Sequence, residues 1–542
     1  MVITGRSLAE IFDAPRGGEP AVWSRYEEFG YWDDTQVGWA LSRAAAQWPD
    51  RIALVIGSSR LTFAELDHWA RQVAEVFASS GIGAGDRVIV QLPNSPEIPI
   101  TVFAAWLIGA IPVPVIPMYR PHELAAIVTQ THPSAFVSLP TRGSRQHTDE
   151  ADEALRAARL DKVARFSVGA KVPGWSLFPP RDSPSEPLRQ PTPRPADSCA
   201  LILFTSGTTQ APKGVRHNSR SLIAEVATYR DGARLGADDV VFIPAPIAHI
   251  GAVVATTILP CLVGLKVVVM PEWDATRAVE TVAAEQATFA IGAPIFLSSL
   301  LDSYETASPD LHRIRKFHTG AAPAAAEVVL RAGKMGVLAW RAWGMTEAPT
   351  LTYGSPGDPL ERRANTDGKI EAGTEVEAVD PERRPLPTGS VGELRLRSPK
   401  QMLGYIVAEQ TSEQVDADGW IYSGDLGWVD EQGWVTVTGR IKDIINRGGE
   451  KFSALEIERA ISSHPAIAEA AVVGLPDERL GEVVGAFVTV AQGAEFPGDA
   501  ALIAHLENAA LARQKFPVTW TVLAELPITA TGKVQKRLLL DS

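Results

Sequence analysis

Between Thr205 and Gly214 the chain reads Thr205-Ser206-Gly207-Thr208-Thr209-Gln210-Ala211-Pro212-Lys213-Gly214, directly after the apolar run Leu201 to Phe204. Hydroxyls and free backbone N–H groups donate to phosphate oxygens, glycine lets a backbone come close, and Lys213 supplies a mobile positive charge. The composition suits a polyphosphate ligand. It is not a Walker A loop, because the Gly-x4-Gly-Lys-Ser/Thr spacing is missing. On composition alone, an ordinary polar loop remains the competing reading.

Further segments narrow the choice: Thr319-Gly320-Ala321-Ala322-Pro323, Trp343-Gly344-Met345-Thr346-Glu347, Tyr422-Ser423-Gly424-Asp425, Gly439-Arg440-Ile441-Lys442-Asp443 and Pro527-Ile528-Thr529-Ala530-Thr531-Gly532-Lys533. In this order, and spread over the whole chain, they resemble the signature motifs of the adenylate-forming superfamily. That superfamily includes acyl-CoA synthetases, aryl-acid adenylating enzymes, peptide-synthetase adenylation domains and firefly luciferase. The resemblance implies an ATP-dependent carboxylate ligase that makes an acyl-adenylate and passes the acyl group to a thiol, with ATP, Mg²⁺ and coenzyme A as its small-molecule partners.

The resemblance also assigns roles. Two anions must meet in such a reaction, so charge has to be neutralised where the α-phosphorus is attacked, and Lys533 takes that part. Glu347 is implied as a magnesium ligand, with Thr205 beside it, since Mg²⁺ takes oxygen donors and bridges phosphates. Thr205, Ser206, Gly207, Thr208, Thr209, Lys213 and Thr346 would hold the phosphates. Gly320, Ala321, Ala322, Trp343, Gly344 and Met345 would form the adenine side, and Asp425 with Arg440 would meet the ribose. Lys442 occupies the hinge position, about which a C-terminal domain would swing. In the second pose Arg447-Gly448-Gly449-Glu450 would come in, with Gly448 and Gly449 on the path of the pantetheine arm.

For the acid, Pro246-Ile247-Ala248-His249-Ile250-Gly251 resembles the stretch in acyl-CoA synthetases where His is followed by an apolar residue and Gly, so His249 would orient the acyl carboxylate. Ile250, Gly251, Ala252 and Gly344 are the other expected wall residues. Small residues at Gly251, Ala252, Gly292, Ala293 and Ala321, if they line the cavity, make it roomy and apolar, which points to a bulky alicyclic, aromatic or terpenoid acid. Tyr26-Glu27-Glu28-Phe29-Gly30-Tyr31-Trp32 and Ile445 to Lys451 resemble freestanding dihydroxybenzoate-activating enzymes. Ile250, however, stands where those carry an asparagine for the ring hydroxyl, and an unpaired buried hydroxyl costs roughly 1 to 3 kcal/mol. Dihydroxybenzoate is therefore disfavoured. Gln210 for the usual glycine, Trp343 for the commoner tyrosine, and the charge at Arg341 are departures from the family pattern.

The elements that must position these groups follow from periodicity. Thr62 with Glu65 makes a capping box, and Leu66, Trp69, Ala70, Val73 and Phe77 recur at helical spacing until Gly81. Strands at Val88 to Leu92 and Val113 to Ile116, with a helix through Leu107 between them, begin the alternation of an α/β sheet, which further runs continue to about residue 350. The proline-rich segment Val172 to Pro195 reads as a surface connection. Glu375 to Val379 and Glu393 to Arg397 alternate like antiparallel strands of a β-rich subdomain. From Ser453 the pattern is α+β: a capped helix, strands near Ala470 to Val473 and Ala486 to Val490, and a helix near Ala501 to Arg513. The expected fold is thus a large N-terminal adenylating domain of α/β sheets plus a β-rich subdomain, residues 1–441, and a small mobile α+β domain, residues 442–542.

A chain of 542 residues exceeds what one core usually serves, and a formal charge of −13 argues against a nucleic-acid partner. Cys199 and Cys261, the only cysteines, offer no disulfide framework and suit a reducing, cytoplasmic setting. Met1 to Ala14 lacks the apolar core of a secretory signal, and the prolines within Ile98 to Met118 argue against a membrane span. Coenzyme A is the expected acceptor; a carrier protein acting in trans is the alternative, and homodimerisation is left open. Readings of another class are a non-catalytic nucleotide-binding protein and a luciferase-like oxidative enzyme.

Overall fold

The computed structural model describes residues 20–205, 212–491, 493–509, 511–529 and 533–540. Two parallel sheets form the bulk of the large N-terminal domain. One runs in the order Ile111–Pro114, Arg87–Gln91, Ala135–Ser138, Ala164–Ser167, Ser176–Leu177. The other runs Leu338–Arg341, Lys316–Thr319, Phe289–Gly292, Val240–Ile243, Lys266–Val269, Ile52–Ile56, and ends in the antiparallel strand Ser59–Thr62.

The helices between the sheets are apolar on every side, as elements buried all round must be. In Glu97–Leu107 every residue from Ile98 onward is buried. The helix Ile250–Val263 packs in the same core as Phe77, Val88, Phe103 and Val267. The helix Phe63–Ser79 starts at the expected capping box: the Glu65 N–H donates to Thr62 Oγ1 at 3.1 Å, and the Thr62 N–H donates to Glu65 Oε2 at 2.9 Å.

An antiparallel sheet, Glu375–Val379, Gly392–Arg397, Ile421–Val429, Val435–Arg440, forms the β-rich part. Glu375–Val379 and Gly392–Arg397 are direct neighbours along their length. A three-stranded antiparallel unit, Cys199–Thr205, Lys213–Asn218 and Gly404–Tyr405, carries the phosphate-loop segment. The small C-terminal domain is a sheet of Glu450–Ser453, Ile444–Arg447, Gly481–Val490 and Ile467–Asp477, with Thr519–Val522 parallel to Gly481–Val490 and the helices Ala454–Ser462 and Asp499–Asn508 against it.

Three expectations shift. The strand sought at Val113 to Ile116 lies at Ile111–Pro114, where its two prolines are tolerated at the sheet edge. The proline-rich connection is more than surface, because Trp175 and Phe178 are buried and Ser176–Leu177 pairs onto the sheet. The last long helix ends at Asn508 rather than near Arg513. Among the described residues no helix is long and apolar enough to cross a membrane.

Ser453 joins the two domains. Its hydroxyl donates to the Thr438 carbonyl at 2.6 Å and accepts from the Glu456 N–H at 3.4 Å, capping the helix Ala454–Ser462. Ser453→Ala should cost about 1 kcal/mol from the lost cap, measured as a shift of the denaturation midpoint of the intact chain.

Candidate active site

Four neighbouring parallel strands end side by side, and the chain after each carries an expected site residue. Val240–Ile243 leads to His249, Phe289–Gly292 to Ala293, Lys316–Thr319 to Gly320, and Leu338–Arg341 to Trp343. Open parallel sheets collect ligands beyond their carboxyl ends, so topology alone gathers these loops. Ala321 has φ +67°, a conformation an L side chain rarely takes, on this same edge.

Trp343 is buried, and its indole Nε1 donates to Asp425 Oδ2 at 2.8 Å. Asp425 is 3% exposed and forms an ion pair from Oδ1 to Arg440 Nε at 2.7 Å. The pair is set by strand register, since Asp425 lies directly opposite Arg440. Both carboxylate oxygens are therefore fixed. The tryptophan at position 343 has a reason: its N–H reaches a carboxylate from within the wall.

Trp343 opens a closed turn. Its carbonyl accepts from the Leu351 and Thr352 N–H groups at 2.9 and 3.2 Å, and Met345 and Ala348 exchange hydrogen bonds across it. Thr346 and Glu347 sit at the tip. His217 Nε2 donates to the Thr346 carbonyl at 2.8 Å, and the Tyr405 hydroxyl donates to Glu347 Oε1 at 2.5 Å. Lys213 stands 5.2 Å from the centre of the Tyr405 ring and lies opposite Thr205 on the hairpin. Hairpin, turn and Tyr405 thus form one unit.

Lys533 comes from the C-terminal domain into this cleft. The residue is exposed at the cleft; desolvation by the surrounding protein first and the like charge of Arg440 second lower its pKa to about 8, while Asp425 and Glu347 oppose the shift and Lys442 adds to it. At pH 7 the ammonium form still dominates. His249 is lowered to about 3, by burial and then by Lys533, so its imidazole is neutral. Its Nε2 is buried and has no hydrogen-bond partner among the described residues. It stands at the N-terminus of the helix Ile250–Val263, an end that favours negative charge.

The acyl wall corrects one expectation. Ala252 and Ala293 belong to hydrophobic clusters, and a Cβ on Gly292 would sit 2.9 Å from Pro244 Cγ and 3.0 Å from Phe296 Cδ2. Those small residues are filled by neighbours and do not widen a cavity. Ala321 is exposed. Gly251 differs, because the nearest atom to its missing Cβ is the Tyr229 hydroxyl at 3.1 Å. Ile250 is half-buried beside it.

Lys442 lies in the single turn Ile441–Asp443 that follows Arg440. Gly448 and Gly449, at φ +62° and +89°, form the two-residue turn between Ile444–Arg447 and Glu450–Ser453, a geometry that demands glycine whether or not a ligand passes. Ser206, Gly207, Thr208 and Thr209, with Gln210 and the residues 530–532 before Lys533, lie outside the described residues. Among the described residues no cluster of three or more His, Cys, Asp or Glu could hold a metal. Sequence reasoning missed His217 and Tyr405, whose partners Thr346 and Glu347 are distant in the chain, and Thr352, which bridges Trp343 and Asp367.

A family model described as AMP-binding enzyme matches residues 41–406, and one described as AMP-binding enzyme C-terminal domain matches residues 456–533. The chain is 31% identical over 523 residues to the medium-chain fatty-acid–CoA ligase of Escherichia coli (strain K12), covering 95% of this chain and 91% of that protein. It is 32% identical over 500 residues to the sulfoacetate–CoA ligase of Cupriavidus necator, covering 92% and 96%. The structure of ATP-bound MatB from Rhodopseudomonas palustris superposes with a TM-score of 0.83 at 27% identity, covering 94% of this chain and 99% of that one. The fold is that of an adenylate-forming enzyme. The chain belongs to the AMP-binding enzyme family, and it is an AMP-forming acid–thiol ligase.

Trp343→Phe keeps the ring but removes the donor to Asp425. A hydrogen bond to a charged group is worth about 1.5–3 kcal/mol, so the KM for ATP should rise by roughly one to two orders of magnitude, read in an acid-dependent pyrophosphate-release assay.

Proposed function

We propose that this chain is an acyl-CoA synthetase that activates an apolar carboxylic acid with ATP and transfers it to coenzyme A. The observation that carries the reading is the convergence of Lys533, Asp425, Arg440 and Glu347 in one cleft with the neutral His249.

A carboxylate oxygen of the acid attacks the α-phosphorus, the bond to the bridging oxygen breaks, and pyrophosphate leaves with its electron pair. Lys533 as the ammonium draws the carboxylate and α-phosphate together. His249, lacking charge, orients the carboxylate without competing for that role. Bound magnesium supplies charge neutralisation at the phosphates, with Glu347 and Thr205 as the residues to hold it. In the second half-reaction the thiol sulfur attacks the acyl carbon, its proton passes to solvent, and AMP leaves. Rotation about Lys442 would exchange Lys533 for the Gly448–Gly449 turn between the steps.

Ile250 beside His249 supports an apolar acyl body. Relatives named for acids as different as a medium-chain fatty acid and sulfoacetate show that family membership does not choose the acid. Coenzyme A is preferred over a carrier protein in trans because both of those relatives are CoA ligases.

Lys533→Ala should abolish acid-dependent pyrophosphate release while retaining most thioester formation from supplied acyl-adenylate; equal loss of both steps would contradict the two-pose reading. Because the active amine is the protonated form and burial lowers its pKa to about 8, kcat/KM for ATP should fall as pH rises through about 8. Lys533→Arg should remove that alkaline limb. Incubation of enzyme, ATP and a panel of acids with CoA or a pantetheinylated carrier should give acyl-CoA, and acyl-carrier alone would reject the acceptor.

A further inference from the structure

Thr350 holds φ +29°, in the left-handed region that a β-branched residue rarely adopts. It closes the turn that carries Thr346 and Glu347, and it is so close to the turn's start that a Cβ on Gly344 would lie 2.6 Å from the Thr350 N. Such a conformation persists only where surrounding groups determine it.

The surrounding groups are charged and buried. Thr350 Oγ1 donates to Glu225 Oε1 at 2.6 Å, and the Thr350 carbonyl accepts from Lys400 Nζ. Glu225 is 0% exposed and Lys400 2%. Lys400 Nζ also donates to Thr228 Oγ1 at 2.5 Å, and lies 3.9 Å from both Glu225 Oε2 and Glu371 Oε2. A lysine withdrawn from water is costly unless its donors are used, and here they grip the strained residue and its neighbours.

The same segments reach the hairpin strand Lys213–Asn218 and the Glu347 turn. Glu225 lies on the helix Ser219–Ala227, which directly follows the strand Lys213–Asn218 of the phosphate hairpin. Lys400 lies five residues before Tyr405, the donor to Glu347, and between them the Met402 N–H donates to the Glu347 carbonyl at 2.7 Å. One stretch of chain, 400–405, therefore holds the turn at Thr350 and at Glu347.

We propose that Lys400 and Glu225 are positioning residues that clamp Thr350 in its left-handed conformation and thereby hold Thr346 and Glu347 against the nucleotide's phosphates. The inference rests on the reading of this turn as part of the ATP site. A side chain at 350 that needs no clamp should then replace it, and glycine adopts positive φ without a Cβ penalty.

The test uses the full chain and two readouts: calorimetric affinity for the imido analogue of ATP, and the KM for ATP in pyrophosphate release. Lys400→Met should weaken analogue affinity about tenfold, equivalent to about 1.4 kcal/mol, and raise KM more than it lowers kcat. Adding Thr350→Gly should recover most of the affinity. A double variant no tighter than Lys400→Met, or a Lys400→Met with wild-type affinity, overturns the clamp. If Lys400→Met does not fold, Thr350→Val and Thr350→Gly decide, because valine keeps the branched Cβ without the hydroxyl. Weaker binding by the valine variant supports the clamp, and equal or tighter binding overturns it. Failure of the wild-type chain itself to bind the analogue would instead reject the ATP-site reading.

Discussion

A carboxylate as deeply buried as Asp425 must be matched by donors on every oxygen, and it is matched from opposite sides by Trp343 and Arg440. The two partners belong to different parts of the machine. Trp343 begins the turn that bears Thr346 and Glu347. Arg440 ends the last strand of the β-rich sheet, immediately before the turn Ile441–Asp443 that leads into the C-terminal domain. The Asp425–Arg440 pair thus refers the Trp343 turn and the root of the C-terminal domain to one point. Displacing Arg440 would leave the Asp425 charge without compensation, and displacing Trp343 would leave one buried carboxylate oxygen without its donor.

Behind that wall a second chain of bonds sets Trp343 itself. Its N–H donates to Thr352 Oγ1 at 2.9 Å, and that hydroxyl donates to the Asp367 carbonyl. The Asp367 carboxylate takes Arg341 on one oxygen and the Val437 N–H at 2.9 Å on the other. Arg341, out of pattern as a buried charge at the end of an edge strand, is therefore a brace between the parallel sheet and the β-rich sheet. Its guanidinium is buried and also donates to the Ala364 carbonyl at 2.9 Å.

What sequence could reveal divides along chain distance. The capping box at Thr62, the parallel strands and the direct neighbours Glu375–Val379 and Gly392–Arg397 were legible because their signals lie within a few residues of one another. The gathering of His249, Gly320 and Trp343 followed from motif order plus the rule that ligands collect at strand ends. His217, Tyr405, Lys400 and Thr350 carry no local signal, since each acts through a partner 50 or more residues away or through a backbone angle. The small residues Gly292 and Ala293 misled for the opposite reason: small size reports close neighbours as readily as empty space, and here Pro244 and Phe296 are the neighbours.

The electrostatics of the cleft bear on the proposed cycle as well as on the first step. Arg440 and Lys442 both depress the Lys533 amine, against the pull of Asp425 and Glu347. In the proposed cycle a magnesium-bound triphosphate would neutralise those cations jointly and so hold the C-terminal domain in. Departure of pyrophosphate carries most of that negative charge away and leaves the single charge of the adenylate phosphate. The like-charge repulsion among Lys533, Arg440 and Lys442 then returns, in a cleft whose walls screen it less than open water does. Loss of the product would thus weaken the hold on the domain that carries Lys533, so in the proposed cycle the same cations that assist adenylation would favour its release before the thiol arrives.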